Sequence, residues 1–192
     1  MTKRSEGRRT KRTGATRGDP FEHFKRACMK TFAFLVSDFG FRLVSANTHI
    51  PECLVEYTNE SLGVGVDVTY EWESEVWVVV SRLDPASKEP IYSNGIGLDF
   101  LIAVRCPKIV VDNRVSGVRW TNKRVSGLLS VYAAALRECG RDLLEGDFSN
   151  LADVRKYQRL FAARTARALY SGKSMADIHK IARRYVARAR RD

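Results

Sequence analysis

Residues 54–83 hold three β-rich runs in close succession, and they leave the chain few folds to choose from. The first run is Leu54, Val55, Glu56, Tyr57 and Thr58. After a polar turn comes a second, with Val64, Val66, Val68 and Tyr70 at every other position and Gly65, Asp67 and Thr69 between them. A second polar turn leads into Val76, Trp77, Val78, Val79, Val80, Ser81, Arg82 and Leu83. Apolar residues at period two put one face of a strand in a core and leave the other wet. Strands joined by turns this short pair antiparallel, because a parallel return needs a long crossover. The segment therefore predicts an antiparallel meander with one face in need of a cover.

The residues before it supply that cover. Asp19-Pro20-Phe21-Glu22 reads as a helix start, with a capping aspartate, proline at the first helical position and an early acid. Phe21, Phe24, Cys28, Phe32, Leu35 and Phe39 then recur at spacings of three and four, one apolar stripe of a helix that stops at Gly40. His23 lies off the stripe, facing solvent. Phe41 to Val44 reads as a short strand running into a loop around His49. Gly63 and Gly65 resemble a phosphate loop only superficially: no helix follows them, so they belong to a turn and a strand.

After the meander the pattern turns helical. Residues 84–90 form a loop. Residues 96–105 fit a short helix or a buried strand, and Ile96, Phe100 and Ala103 with Leu101 and Val104 favour the helix. Residues 107–124 show no clear period. A helix over 125–139 carries Leu128, Leu129, Tyr132, Ala135 and Leu136 inward and stops at Gly140. Ser149 or Asn150 caps another, with Leu151, Val154, Tyr157, Phe161 and Leu169 inward. Ser174 to Asp177 is a capping box for a last helix lined by Met175, Ile178, Ile181 and Tyr185. The predicted fold class is α+β: an N-terminal helix packed on an antiparallel meander, followed by a C-terminal helical region.

Charge divides the chain. The net charge is +11, but residues 20–150 are mildly acidic and the excess sits at the two ends. Residues 1–18 are mostly Lys, Arg, Thr, Ser and Gly, with Glu6 and Ala15 and no large apolar side chain beyond the first methionine. Such a stretch cannot bury enough surface to offset its ordering entropy. The expected organisation is a disordered basic arm over 1–18, an α+β domain over 19–150 and a basic helical extension over 151–192. The arm reads either as an electrostatic contact or as a solubilising leader. Cys28, Cys53, Cys106 and Cys139 are widely spaced, with no Cys-x-x-Cys pair and no histidine at ligand spacing. That excludes an ordinary zinc site and leaves reduced thiols as the expectation. No apolar run follows the basic start and none is long enough to span a bilayer, so the expectation is a cytoplasmic protein without a membrane role.

The segments 39–44, 55–68 and 132–149, with their Gly-Phe-Arg-Leu, Val-Glu-Tyr-Thr-Asn and Leu-Arg-Glu-Cys-Gly-Arg-Asp-Leu-Leu-Glu-Gly-Asp-Phe-Ser sequences, resemble a group of small bacterial α+β proteins. Some of that group are immunity partners of polymorphic toxins. The resemblance spans residues 20–150 and implies an α+β fold and a protein partner. It implies no catalytic residue. Residues 107–124 and both basic ends fall outside it.

Two binding surfaces follow from the residues. Glu56, Asp67, Glu71, Glu73 and Glu75, with Trp72 among them and Trp77 nearby, place acids and aromatic anchors on or beside the meander's wet face. Aromatics inside a charged rim suit a protein partner, a basic one by charge. The alternative is a nucleic-acid-associated protein. It would use Arg8, Arg9, Lys11 and Arg12 of the arm, and Lys180, Arg183, Arg184, Arg188, Arg190 and Arg191 of the last helix, to neutralise phosphates. His23, His49 and His179 are scattered and no nucleophile motif is present, so neither catalysis nor a cofactor is expected. Asp67 and Glu56 brought into a cleft beside His49 would change that reading.

Overall fold

The computed structural model describes residues 19–49, 52–71, 75–111 and 121–169. The elements run α1 (Pro20–Thr31), α2 (Ala33–Phe39), β1 (Arg42–His49), β2 (Glu52–Asn59), β3 (Val64–Glu71), β4 (Val76–Arg82), a short 3-10 turn (Tyr92–Asn94), β5 (Ile96–Gly97), α3 (Leu98–Arg105), α4 (Asn122–Cys139), α5 (Arg141–Leu144) and α6 (Ala152–Leu169). The five strands form one antiparallel sheet in sequence order. This is the predicted α+β architecture, with the N-terminal helical segment on the sheet and helices after it.

One face of the sheet is core. Val66 pairs with Tyr57 on one side and Val80 on the other, and Val68 with Val55 and Val78. All six are buried. Phe21 and Phe24 of α1 lie against Tyr70 at ring-centroid distances of 5.8 and 5.3 Å. The first helical segment is broken once. At Phe32 the backbone leaves helical geometry while its N–H still bonds the Cys28 carbonyl at 2.9 Å. The break lets Phe34 join Phe32 and Leu35 in the core. Asp19 caps α1 through Phe21 N–H at 2.9 Å, and Gly40, at φ 67°, ends α2 in the left-handed conformation that glycine tolerates best. His23 does not face solvent alone: its Nε2 lies 3.1 Å from the Asn122 carbonyl and 3.2 Å from Ser126 Oγ, tying α1 to α4.

Three further expectations are corrected. The strand before the meander extends to His49, because residues 45–49 pair with 52–56. Residues 96–105 split between the two alternatives, two residues of strand beside β4 and then a helix. Cys106 and Cys139 are joined by a disulfide rather than standing as reduced thiols. They sit at the C-terminal ends of α3 and α4, and the packing of those helices brings their Cα atoms to 6.3 Å, within bonding reach. Cys28 and Cys53 stay free and buried. Leu151, Val154 and Tyr157 of the segment around α6 enter the same core, with Tyr157 and Phe161 stacked beside Phe100. The first-methionine arm and the last capping box, at 1–18 and 174–177, lie outside the described residues.

Candidate partner-binding face of the sheet

The second face is set by the same alternation, read one residue over. Cross-strand pairing lines its side chains up in rows. The first row is His49, Glu52 and Glu71; the next is Asn47, Leu54, Thr69 and Trp77. The third is Ser45, Glu56, Asp67 and Val79, and the fourth brings Thr58, Gly65 and Ser81 together.

The first two rows are open. Trp77 is 43% exposed, although tryptophan usually hides most of its surface. Thr69 beside it and Leu54 one strand further on are half-buried, and Glu52, Asn47 and His49 are exposed. Glu71 and Glu75 are half-buried at the same end. A tryptophan next to Thr69, with carboxylates in the adjoining row, is therefore presented to solvent.

In the last two rows Asp67, Thr58, Gly65 and Ser81 are buried while Ser45, Glu56 and Val79 are half-buried, which corrects the expectation for Asp67. The chain leaves β4 at Leu83 and returns at once, bridging Leu83 with Pro90 and donating the Ile91 N–H to the Arg82 carbonyl at 2.8 Å. This return segment lies over the sheet. A methyl group on Gly65 would sit 3.0 Å from Leu83 Cδ2 and 3.2 Å from Ser81 Oγ, so a side chain there would have to push both back by a few tenths of an ångström. Asp67 is 3% exposed. Burial pushes the Asp67 carboxyl up to about 6. The nearby Tyr92 hydroxyl opposes that rise and the Glu56 charge adds to it. Ser45 Oγ donates to Glu56 Oε2 on the next strand. Asp67 Oδ2, Thr58 Oγ1 and Ser81 Oγ are buried without a hydrogen-bond partner among the described residues.

The face thus has a polar closed half and an acidic open half. Glu56 and Asp67 are direct cross-strand neighbours, with Cβ atoms about 5 Å apart by strand geometry. His49 belongs with Glu52, two rows away, or about 13 Å along the strands. The three groups do not converge. Among the described residues, no group of His, Cys, Asp and Glu is arranged to hold a metal ion. Trp72 and Glu73 lie outside the described residues, as do Arg8, Arg9, Lys11, Arg12, Lys180, Arg183, Arg184, Arg188, Arg190 and Arg191. Reading the sequence missed Tyr92, Thr58 and Ser81 as parts of this face. The one available signal was Gly65, a strand glycine that marks close approach of another segment.

Compared with known protein families, with curated proteins and with solved structures, the chain matches none. Among the described residues, no helix is long and apolar enough to cross a membrane.

Proposed function

We propose that the chain is a non-enzymatic binding protein that docks a basic protein partner on the open half of the sheet's second face. The observation that carries this reading is Trp77, 43% exposed at the end of the row that runs Leu54, Thr69, Trp77, which lies between the row of the Glu52–Glu71 pair and the row of Glu56. Buried aromatic anchors with a charged rim carry most of the affinity in many interfaces. The carboxylates select a partner rich in Lys and Arg and speed its encounter. Residues 20–150 resemble a group of small bacterial α+β proteins, some of them immunity-like, and on that reading the partner is a toxin whose substrate-binding surface is basic, such as a nuclease. Masking that surface requires no cofactor and no catalytic group in this chain.

The test is co-purification from the native cells with the full chain, followed by titration of the protein recovered. Trp77→Ala is expected to weaken binding by about 2 kcal/mol, roughly 30-fold, and Glu71→Lys to slow association in a salt-dependent way. A recovered partner that binds both variants as tightly as the parent chain would rule this face out. Failure to recover any partner with the parent chain would count against the whole reading.

A further inference from the structure

A second concavity, of about 520 Å³, lies between α6 and the 3-10 turn. Ser93, Asn94 and Gly95 form one wall; Arg155, Gln158 and Arg159 of α6 form the other. Gln158 Nε2 donates to the Gly95 carbonyl at 3.4 Å and fastens the two walls to each other. Arg155 and Arg159 are four residues apart on one helical face, which sets their Cβ atoms about 5–6 Å apart. Both are exposed.

Their surroundings set these two arginines apart. Elsewhere among the described residues, Arg105 pairs with Asp142, Arg137 with Asp38, Arg141 with Glu145 and Arg42 with Glu60. Arg82 lies over the Phe148 ring. Among the described residues, neither Arg155 nor Arg159 has an ion-pair partner, and none of the residues lining the cleft is acidic. Two unpaired guanidiniums facing a hydroxyl and a carboxamide form a donor-rich site without a built-in counter-ion. Guanidinium forks match the oxygens of phosphate.

We propose that this cleft binds the phosphodiester backbone of a nucleic acid. A polymer is favoured over a free phosphate for two reasons. The arginines are solvent-exposed, so one phosphate held there is heavily screened, whereas a polyanion also releases its condensed counterions. In addition, residues 151–192 carry 12 Lys and Arg against three Asp and Glu, so further phosphates would meet further cations along the same part of the chain. The contact fixes position and reads no sequence, since it involves no base edge. This site is independent of the acidic sheet face.

The test is fluorescence anisotropy of labelled mixed-sequence RNA and duplex DNA with the full chain, over a series of salt concentrations. The double variant Arg155→Ala/Arg159→Ala should bind about tenfold more weakly at low salt, and the slope of log affinity against log salt should fall by about 1–2. Arg155→Lys/Arg159→Lys should keep the slope and lose part of the affinity, because charge is retained and the fork is not. Trp77→Ala should change neither. Wild-type affinity and slope in the double alanine variant would overturn the proposal. So would competition by inorganic phosphate at equal phosphate concentration, or an absence of nucleic-acid binding by the parent chain at low salt.

Discussion

The two faces of the sheet come from the same strands and end in opposite environments. On the first, Val55, Val66, Val68, Val78 and Val80 meet the helices and are buried without a polar atom to satisfy. On the second, the return segment covers Asp67, Thr58, Gly65 and Ser81, while Trp77 and the Glu52–Glu71 pair stay open. The first face is a stabilising surface made of volume and shape. The second carries most of the polar cost: a buried carboxyl pushed up to about 6, and three of the four buried polar side-chain atoms without partners among the described residues, the fourth being Tyr57 Oη on the first face. A sheet that spends one face on stability can tolerate such a cost on the other.

The largest effect should come from attacking the first face. Phe24 is fully buried and packs on Tyr70 at 5.3 Å. Phe24→Ala leaves a cavity between α1 and the sheet and should cost about 3–5 kcal/mol, read as a lower urea midpoint at unchanged m-value. A loss under about 1 kcal/mol would mean that the helical cover contributes little and that the contrast between the faces is false.

That first face was legible in the sequence, and the reason is its chemistry. Valine at every second position and phenylalanine at every third or fourth can each be hidden in only one way, so the meander and its helical cover follow from the pattern. The break at Phe32 was not legible, because Phe32, Phe34 and Leu35 are all apolar and a stripe tolerates a shift of one residue. The closed half of the second face was hidden for another reason. Asp67, Thr58 and Ser81 are residues that alternation assigns to solvent, and their burial depends on residues 83–95 folding back. The Cys106–Cys139 bond is likewise a product of helix packing, its two ends separated by 33 positions with no motif to announce it.

The next effect in size separates the closed half from the open half by pH. The Asp67 pKa is about 6 in the folded chain against 3.8 for an ordinary aspartate. The folded state therefore holds this proton more tightly than the unfolded state. Stability tied to Asp67 is fully present below about pH 4 and is lost as pH rises through 6, up to about 3 kcal/mol for a shift of this size. Asp67→Asn removes the titration and should flatten that part of the pH–stability curve, leaving the variant more stable than the parent at pH 7. Parallel curves between pH 4 and 7 would show that Asp67 is not held in a desolvated site, and the division of the second face would fall.

The smallest effect on folding belongs to Trp77, and its smallness is what gives the comparison its functional meaning. A residue kept for packing should cost as much to truncate as Phe24; a residue kept for a partner should cost little in the free chain and much in the complex. Trp77 has Thr69 as its cross-strand neighbour, and 43% of it is exposed. Cross-strand pairs of this kind contribute about 0.2–1 kcal/mol. Trp77→Ala should therefore shift the urea midpoint by an amount equivalent to about 1 kcal/mol or less, while costing about twice that in partner affinity. A stability loss approaching that of Phe24→Ala would make Trp77 part of the scaffold. The open half would then be an ordinary solvated sheet surface, and its carboxylates would have no anchor to surround.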